Sequence, residues 1–269
     1  MQEDRDNLNN NTEEPVKVTN PGGISKESEE ISYTGEVFTD LNWANTKNDE
    51  LMLTGCEFHD CDFSGASLTC LEVKDCQFHN CNFRNANLKE SVFQDCSFYN
   101  KENQKGCYFY GSDLTHSKFT KCDVSICVFE RADLFGIELL DSRAQGASFK
   151  GANFTSVVSR TVVFSLATLK GSIFRYADFE RCVLKKCDLS SSSFVNANFF
   201  NTDLEEADLT GSDLSGIQYE TLRLSGADLR NAELGGLDVR RIDLSGVKIF
   251  DWQQEVLLES LGVVVFPGQ

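Results

Sequence analysis

Eleven cysteines, three histidines and a dense set of carboxylates are the residues of this 269-residue chain that could do chemistry. Thiols could pair or hold a soft metal, imidazoles could ligate zinc or relay protons, and paired carboxylates could act as general acid and base. Their spacing argues for another role. Ten cysteines (Cys56, Cys61, Cys76, Cys81, Cys96, Cys107, Cys122, Cys127, Cys182 and Cys187) each stand two places before a large apolar residue, and only Cys70 falls outside that slot. A cysteine held in such a register acts as a small buried hydrophobe, so reduced structural thiols are expected. His59 and His79 lie twenty residues apart with no third ligand beside them, and His116 stands alone. No phosphate-binding Gly-rich loop, HExxH or nucleophile elbow occurs. The carboxylates have no cleft to shift their pKa values. No enzyme, no metal and no cofactor are expected.

The element that positions these residues is a five-residue beat with a small residue two places before a Leu or Phe. In Cys56-Glu57-Phe58-His59-Asp60-Cys61-Asp62-Phe63 both large residues are Phe, and the pattern returns as Cys76-Gln77-Phe78-His79-Asn80-Cys81-Asn82-Phe83. Helices repeat at 3.6 and strands at 2, so neither explains the beat. Two inward residues in every five mean a chain that turns a corner every five. Four corners close a square coil of about 20 residues, and stacked coils form a β-solenoid. The expected fold class is all-β: a quadrilateral β-helix with two corner loops and a C-terminal capping helix.

Three regions follow. Residues 1–50 form an acidic extension expected to be disordered, with a net charge of −5 over residues 1–30. Residues 51–250 form the β-helix, although the beat starts loosely near Ile31. Residues 251–269 form a cap, with Asp251 as helix N-cap, Gly262 as C-cap and Val263–Phe266 as a short strand. Trp252, Val256, Leu257, Leu258 and Leu261 exceed what one coil end can bury. They either cap the rod alone or cap it and join two copies across a two-fold axis.

Two interruptions break the beat. After Phe98 the next large inward residue is Phe109, so Tyr99, Asn100, Lys101, Glu102, Asn103, Gln104 and Lys105 bulge from a corner together with Gly106. The second follows Phe154, with Ser156, Val157, Val158, Ser159, Arg160, Thr161 and Val162 in the loop and the beat resuming at Phe164. They are tolerated insertions or contact loops, and loops are where function concentrates.

Ala86-Asn87-Leu88-Lys89-Glu90 and Ala207-Asp208-Leu209-Thr210-Gly211 resemble the pentapeptide-repeat proteins, whose fold is a right-handed quadrilateral β-helix. Within that group, Gln104-Lys105-Gly106-Cys107, Arg143-Ala144-Gln145-Gly146-Ala147 and the ending Gly246 to Glu255 resemble the Qnr proteins, which protect bacterial type II topoisomerases from quinolones. The resemblance runs from about Leu71 to Phe266. It implies a homodimeric rod that imitates DNA, engages DNA gyrase and topoisomerase IV, and uses both loops as specific contacts. The acidic extension and the coils before Leu71 depart from that pattern.

Charge agrees with the implication. The net charge of −17 repels nucleic acid and attracts basic surfaces that normally bind it, so no direct nucleic acid binding is expected. Asp188, Asp208 and Asp228 are twenty apart and should line up as an acidic face. Asp or Asn before the central Leu also suits a tight turn, because its side chain bonds nearby backbone. That does not account for Glu205 and Glu206. The chain contains no apolar run long enough to span a membrane and no signal-peptide core, so a cytoplasmic protein is expected. The rival reading is a non-enzymatic scaffold whose acidic rod binds some other basic protein.

Overall fold

The computed structural model describes residues 31–159 and 162–266. Its organising feature is a parallel backbone ladder between successive coils. Ser32, Met52, Glu72, Val92, Lys118, Glu138, Thr168, Asp188, Asp208, Asp228 and Lys248 follow one another along one side. Three further columns start at Val37, Asn42 and Lys47, which gives the coil four sides. At the usual strand spacing the rod is roughly 50 Å long. The fold is the four-sided β-helix that the beat implies, with a hairpin at two corners and one short helix at its C-terminal end.

Each side contributes one large residue to the axis. Phe58, Phe78 and Phe98 stack at 4.7 Å, and Phe83, Phe109 and Phe129 at 4.8 Å, because the ladder sets the spacing of the rings. Phe rings of adjacent sides meet edge to face, as Phe93 does with Phe98 at 5.4 Å. The small slot most often holds a thiol, a hydroxyl or Ala, with Leu51, Leu71, Ile137 and Leu222 as larger occupants, and the thiols and hydroxyls have a further use. Cys81, Cys107 and Cys127 donate Sγ–H to Phe58, Phe78 and Phe98 carbonyls at 3.5, 3.3 and 3.5 Å. Ser192 and Thr202 donate likewise to Leu169 and Phe179.

The corner itself requires a left-handed residue. Gly65, Gly111, Gly151 and Gly211 occupy it with φ of 64–66°, but so do Asn85, Lys121 and Arg131 at 54–56°. Inserted side chains at such an angle cost about 1–2 kcal/mol each, which explains the Gly, Asn and Asp found there. The residue before the large one accepts a hydrogen bond from the backbone N–H two places on, as Asp188 does from Ser190 at 2.9 Å and Asp208 from Thr210 at 2.9 Å. The turn role of these aspartates is therefore real.

Several boundaries differ from the sequence reading. The β-helix begins at Ile31, not at residue 51: Phe38, Leu41 and Trp43 are buried, and Tyr33 pairs with Leu53. The small slots of this first coil hold Ile31, Glu36, Leu41 and Thr46, so the beat is blurred there. The disorder expected of residues 1–30 lies outside the described residues. At the other end Phe250, not Asp251, precedes the helical turn Asp251–Gln253, which leads into α1 (Gln254–Glu259). Residues 263–266 form no strand. α1 ends at Glu259 with Ser260, not Gly262, as its C-cap, and Gly262 turns the chain two residues on, with φ of +74° and its N–H bonded to the Glu259 carbonyl at 2.9 Å.

All ten slot cysteines are buried and unpaired, and Cys70 is exposed. Burial pushes the Cys182 and Cys187 thiols up to about 12 and raises Cys81, Cys107 and Cys127 as well. A thiol held protonated is a poor nucleophile. Because the ten slot thiols are buried and Cys70 is exposed, a disulfide reagent at pH 8 should modify one thiol of the native protein, lost in Cys70→Ser, and all eleven after denaturation. Phe119→Ala removes a fully buried ring stacked 4.6 Å from Phe93 and should cost about 3–5 kcal/mol in a denaturant titration.

Candidate interaction surface

The ladder fixes where the two insertions emerge. Across the first, partner numbers differ by 26, as in Val92 with Lys118, so six residues are inserted into a coil of 20. Across the second, Ser142 and Ser172 are 30 apart, which inserts ten. The first leaves between the columns of Ser97 and Tyr108 and the second between those of Asn153 and Thr168. These are diagonally opposite corners, two coils apart, or about 10 Å along the axis.

The first insertion is a small hairpin in which Tyr99 pairs with Gly106 and Asn100 with Lys105. Asn100 Oδ1 accepts the Glu102 N–H at 2.9 Å and Asn103 Oδ1 accepts the Lys105 N–H at 3.1 Å, so the tip is pinned by its own side chains. Lys101, Glu102, Asn103, Gln104 and Lys105 are all exposed. Gly106 is obligatory, since a Cβ there would lie 2.5 Å from the backbone of Ile126 and Cys127. Ile126, a β-branched residue at φ of +57°, thus turns its corner directly beneath the hairpin.

The second insertion is also a hairpin, Thr155–Ser159 against Val162–Ser165, with an irregularity between Val157 and Ser159. Ser156 pairs with Phe164 and Val157 with Val163. Arg160 and Thr161 lie outside the described residues. Phe164 does not resume the beat: it is 44% exposed on the hairpin, and Leu169 is the next large inward residue. Ten inserted residues keep the five-residue phase, so the count runs through the hairpin undisturbed. Val157 at 69%, Val163 at 58% and Leu166 at 46% are exposed as well.

The aspartates stack as expected: Asp188, Asp208 and Asp228 are successive partners, as are Asp113 and Asp133. They are not equally free. Arg230 binds Asp228 at 2.7 Å and Lys248 approaches it at 3.8 Å, and Arg230 foremost holds that carboxyl below its usual range. Glu205 and Glu206 meet Lys185 and Lys186 one coil away at 2.9 and 3.2 Å, and Arg223 binds Asp203. Such exposed pairs add little stability but cancel charge. The less compensated acid lies elsewhere, on residues 31–99, where eleven carboxylates face four Lys and Arg.

His59 and His79 stack outward at 4.7 Å beside the first hairpin, with Glu57 3.4 Å from His59. Among the described residues no group of three His, Cys, Asp or Glu could hold a metal ion. No helix among them is long and apolar enough to cross a membrane.

The cap hangs on one residue the sequence did not single out. Gln253 is buried, donates to the Leu229 and Ala232 carbonyls at 2.9 Å each, and accepts the Asn231 and Phe250 N–H groups at 3.0 and 2.8 Å. Leu257 packs on the core and Leu258 is half-buried. Trp252, Val256 and Leu261 are 55, 41 and 46% exposed, and Val264 and Phe266 are 73 and 81% exposed.

The family described as pentapeptide repeats matches in eight copies over residues 74–100, 163–199, 181–216 and 222–248. The pentapeptide repeat protein QnrB4 of Escherichia coli is 36% identical over 85 residues, 32% of this chain and 40% of that protein. The quinolone resistance pentapeptide repeat protein QnrB96 of Scandinavium goeteborgense matches to the same extent. These alignments thus span two fifths of the curated relatives' length. The structure of full-length QnrB1, a plasmid-mediated fluoroquinolone resistance protein, superimposes with a TM-score of 0.67 and 32% identity, covering 84% of this chain and all of that one. With the same repeats over the same solenoid, this chain belongs to the Qnr family of pentapeptide-repeat proteins.

Proposed function

We propose that this protein binds DNA gyrase, and topoisomerase IV by the same surface, and protects the enzyme from quinolones. The observation that carries the reading is the pair of hairpins raised at fixed corners of an acidic rod. A rod with carboxylates at regular intervals offers a DNA-binding saddle what duplex DNA offers it, negative charge at a steady pitch. Charge alone does not choose among basic proteins. The hairpins supply the choice, the first with Lys101, Glu102 and Lys105 and the second with an apolar surface. The QnrB1 likeness supports the reading, since that protein confers fluoroquinolone resistance and matches this chain over its whole length.

The exposed apolar cap supports a homodimer. Phe250, Trp252, Val256, Leu261, Val264 and Phe266 leave more apolar surface open at one end than a soluble monomer ordinarily shows. A second copy related by a two-fold axis would cover it and would also give the strandless segment 263–266 a partner edge.

Titrating the protein into a gyrase supercoiling reaction stalled by ciprofloxacin should restore supercoiled product at micromolar protein or below. Deleting residues 155–164 should abolish rescue while leaving the thermal unfolding of the rod in place. A deletion variant that protects fully would remove the second hairpin from the account, and no rescue by the wild-type chain would remove the protective function. Sedimentation equilibrium should give a dimer. The double variant Trp252→Asp, Leu261→Asp should give a folded monomer, and a wild-type monomer at tens of micromolar would contradict the cap's role.

A further inference from the structure

One corner of the rod breaks its own rule. The position after the large inward residue faces solvent, and along the corner of the second hairpin it holds Thr69, Lys89, Thr115, Lys185 and Glu205. In the coil just before the hairpin it holds Phe135. Leu134 already fills the core slot there, so Phe135 is surplus to the packing of the coil.

Its ring has two partners. Phe164 of the hairpin meets it edge to face at 5.3 Å and 75°, and His116 of the coil below meets it at 5.4 Å and 80°. The next residue, Gly136, makes the arrangement possible, because a Cβ there would lie 2.3 Å from the His116 ring. The Gly136 N–H also donates to the Leu166 carbonyl at 2.7 Å, tying down the hairpin's return to the coil. Its outgoing end is held by Asn153, which accepts the Thr155 N–H at 3.0 Å and donates to Asp133 at 3.2 Å.

Strand alternation gives this clasp a consequence. Ser156 and Phe164 are cross-strand partners on one face of the hairpin, and Val157 and Val163 are partners on the other. With Phe164 turned to Phe135, the Val157–Val163 pair is presented outward, which agrees with its exposure of 69 and 58%. We infer that Phe135 is a positioning residue: it clasps Phe164 so that the second hairpin stands pre-formed with the Val157–Val163 pair facing its partner. The inference rests on the reading that this hairpin contacts the topoisomerase. A pre-formed loop avoids the ordering cost that a free one meets on binding.

The test pairs a measurement on the isolated protein with one on gyrase. In Phe135→Ala, amide hydrogen exchange over Thr155–Ser159 and Val162–Leu166 should quicken by up to about tenfold, the worth of one aromatic pair, with exchange in the coils unchanged. The protein concentration giving half-maximal rescue from ciprofloxacin should rise by a similar factor, and Phe135→Tyr should restore both. A hairpin as protected in Phe135→Ala as in the wild type overturns the inference, whatever the protein does to gyrase. A loosened hairpin with undiminished rescue overturns it too. A loosened hairpin in a chain whose wild type gives no rescue upholds the clasp and sinks the protective function instead.

Discussion

Everything in this molecule depends on the coil-to-coil backbone ladder. Parallel strands in register hold each residue above its counterpart one coil away, at a spacing of about 4.8 Å that no side chain can alter. Phenylalanines stack because the ladder stacks them. The same ladder shapes what may point inward: one large residue per side, and beside it most often Cys, Ala, Ser or Thr, with Leu51, Leu71, Ile137 and Leu222 as the larger occupants. Cysteine is common here for that reason and not for its redox chemistry. The hydroxyl and thiol groups of that slot are tolerated in an apolar core because they find carbonyls, of the preceding coil as for Cys107 and Ser192 or of their own as for Ser112 and Ser212.

The ladder equally governs the surface. Charges cannot be scattered when the fold repeats, so they fall into columns, and a column of aspartates is first of all a column of turns. Where Lys185, Lys186, Arg223 and Arg230 stand one coil away or beside it, the negative charge is largely cancelled. The acidity that a basic partner would meet is concentrated in the first coils. Insertions obey the same rule: the chain can leave only at a corner and must return to the same corner. Two hairpins on diagonal corners are thereby set at a defined distance and angle without any further element to hold them, save the aromatic clasp at the second.

The sequence made the solenoid legible because its period matches neither helix nor strand and because Cys, Phe and Asp recur in fixed slots. It made the first hairpin legible for an arithmetical reason, since six extra residues break a five-residue count. The second hairpin adds ten, which the count absorbs, so Phe164 passed for a core residue although it lies outside the coil. The first coil was obscured because Ile31, Glu36 and Leu41 stand where Ala, Cys or Ser usually does. The roles of Gln253 and Phe135 were not readable, since a buried glutamine and an outward aromatic acquire meaning only from what lies across the fold.

The central claim is that the rod occupies the place of DNA on a topoisomerase. The direct measurement is displacement: gyrase is loaded onto a fluorescent duplex without drug, and the protein is titrated in at several salt concentrations while anisotropy is followed. The account predicts release of the duplex, competitive in form and weakening steeply as salt rises. A stable ternary complex of gyrase, duplex and protein, with no release at any salt concentration, would contradict it.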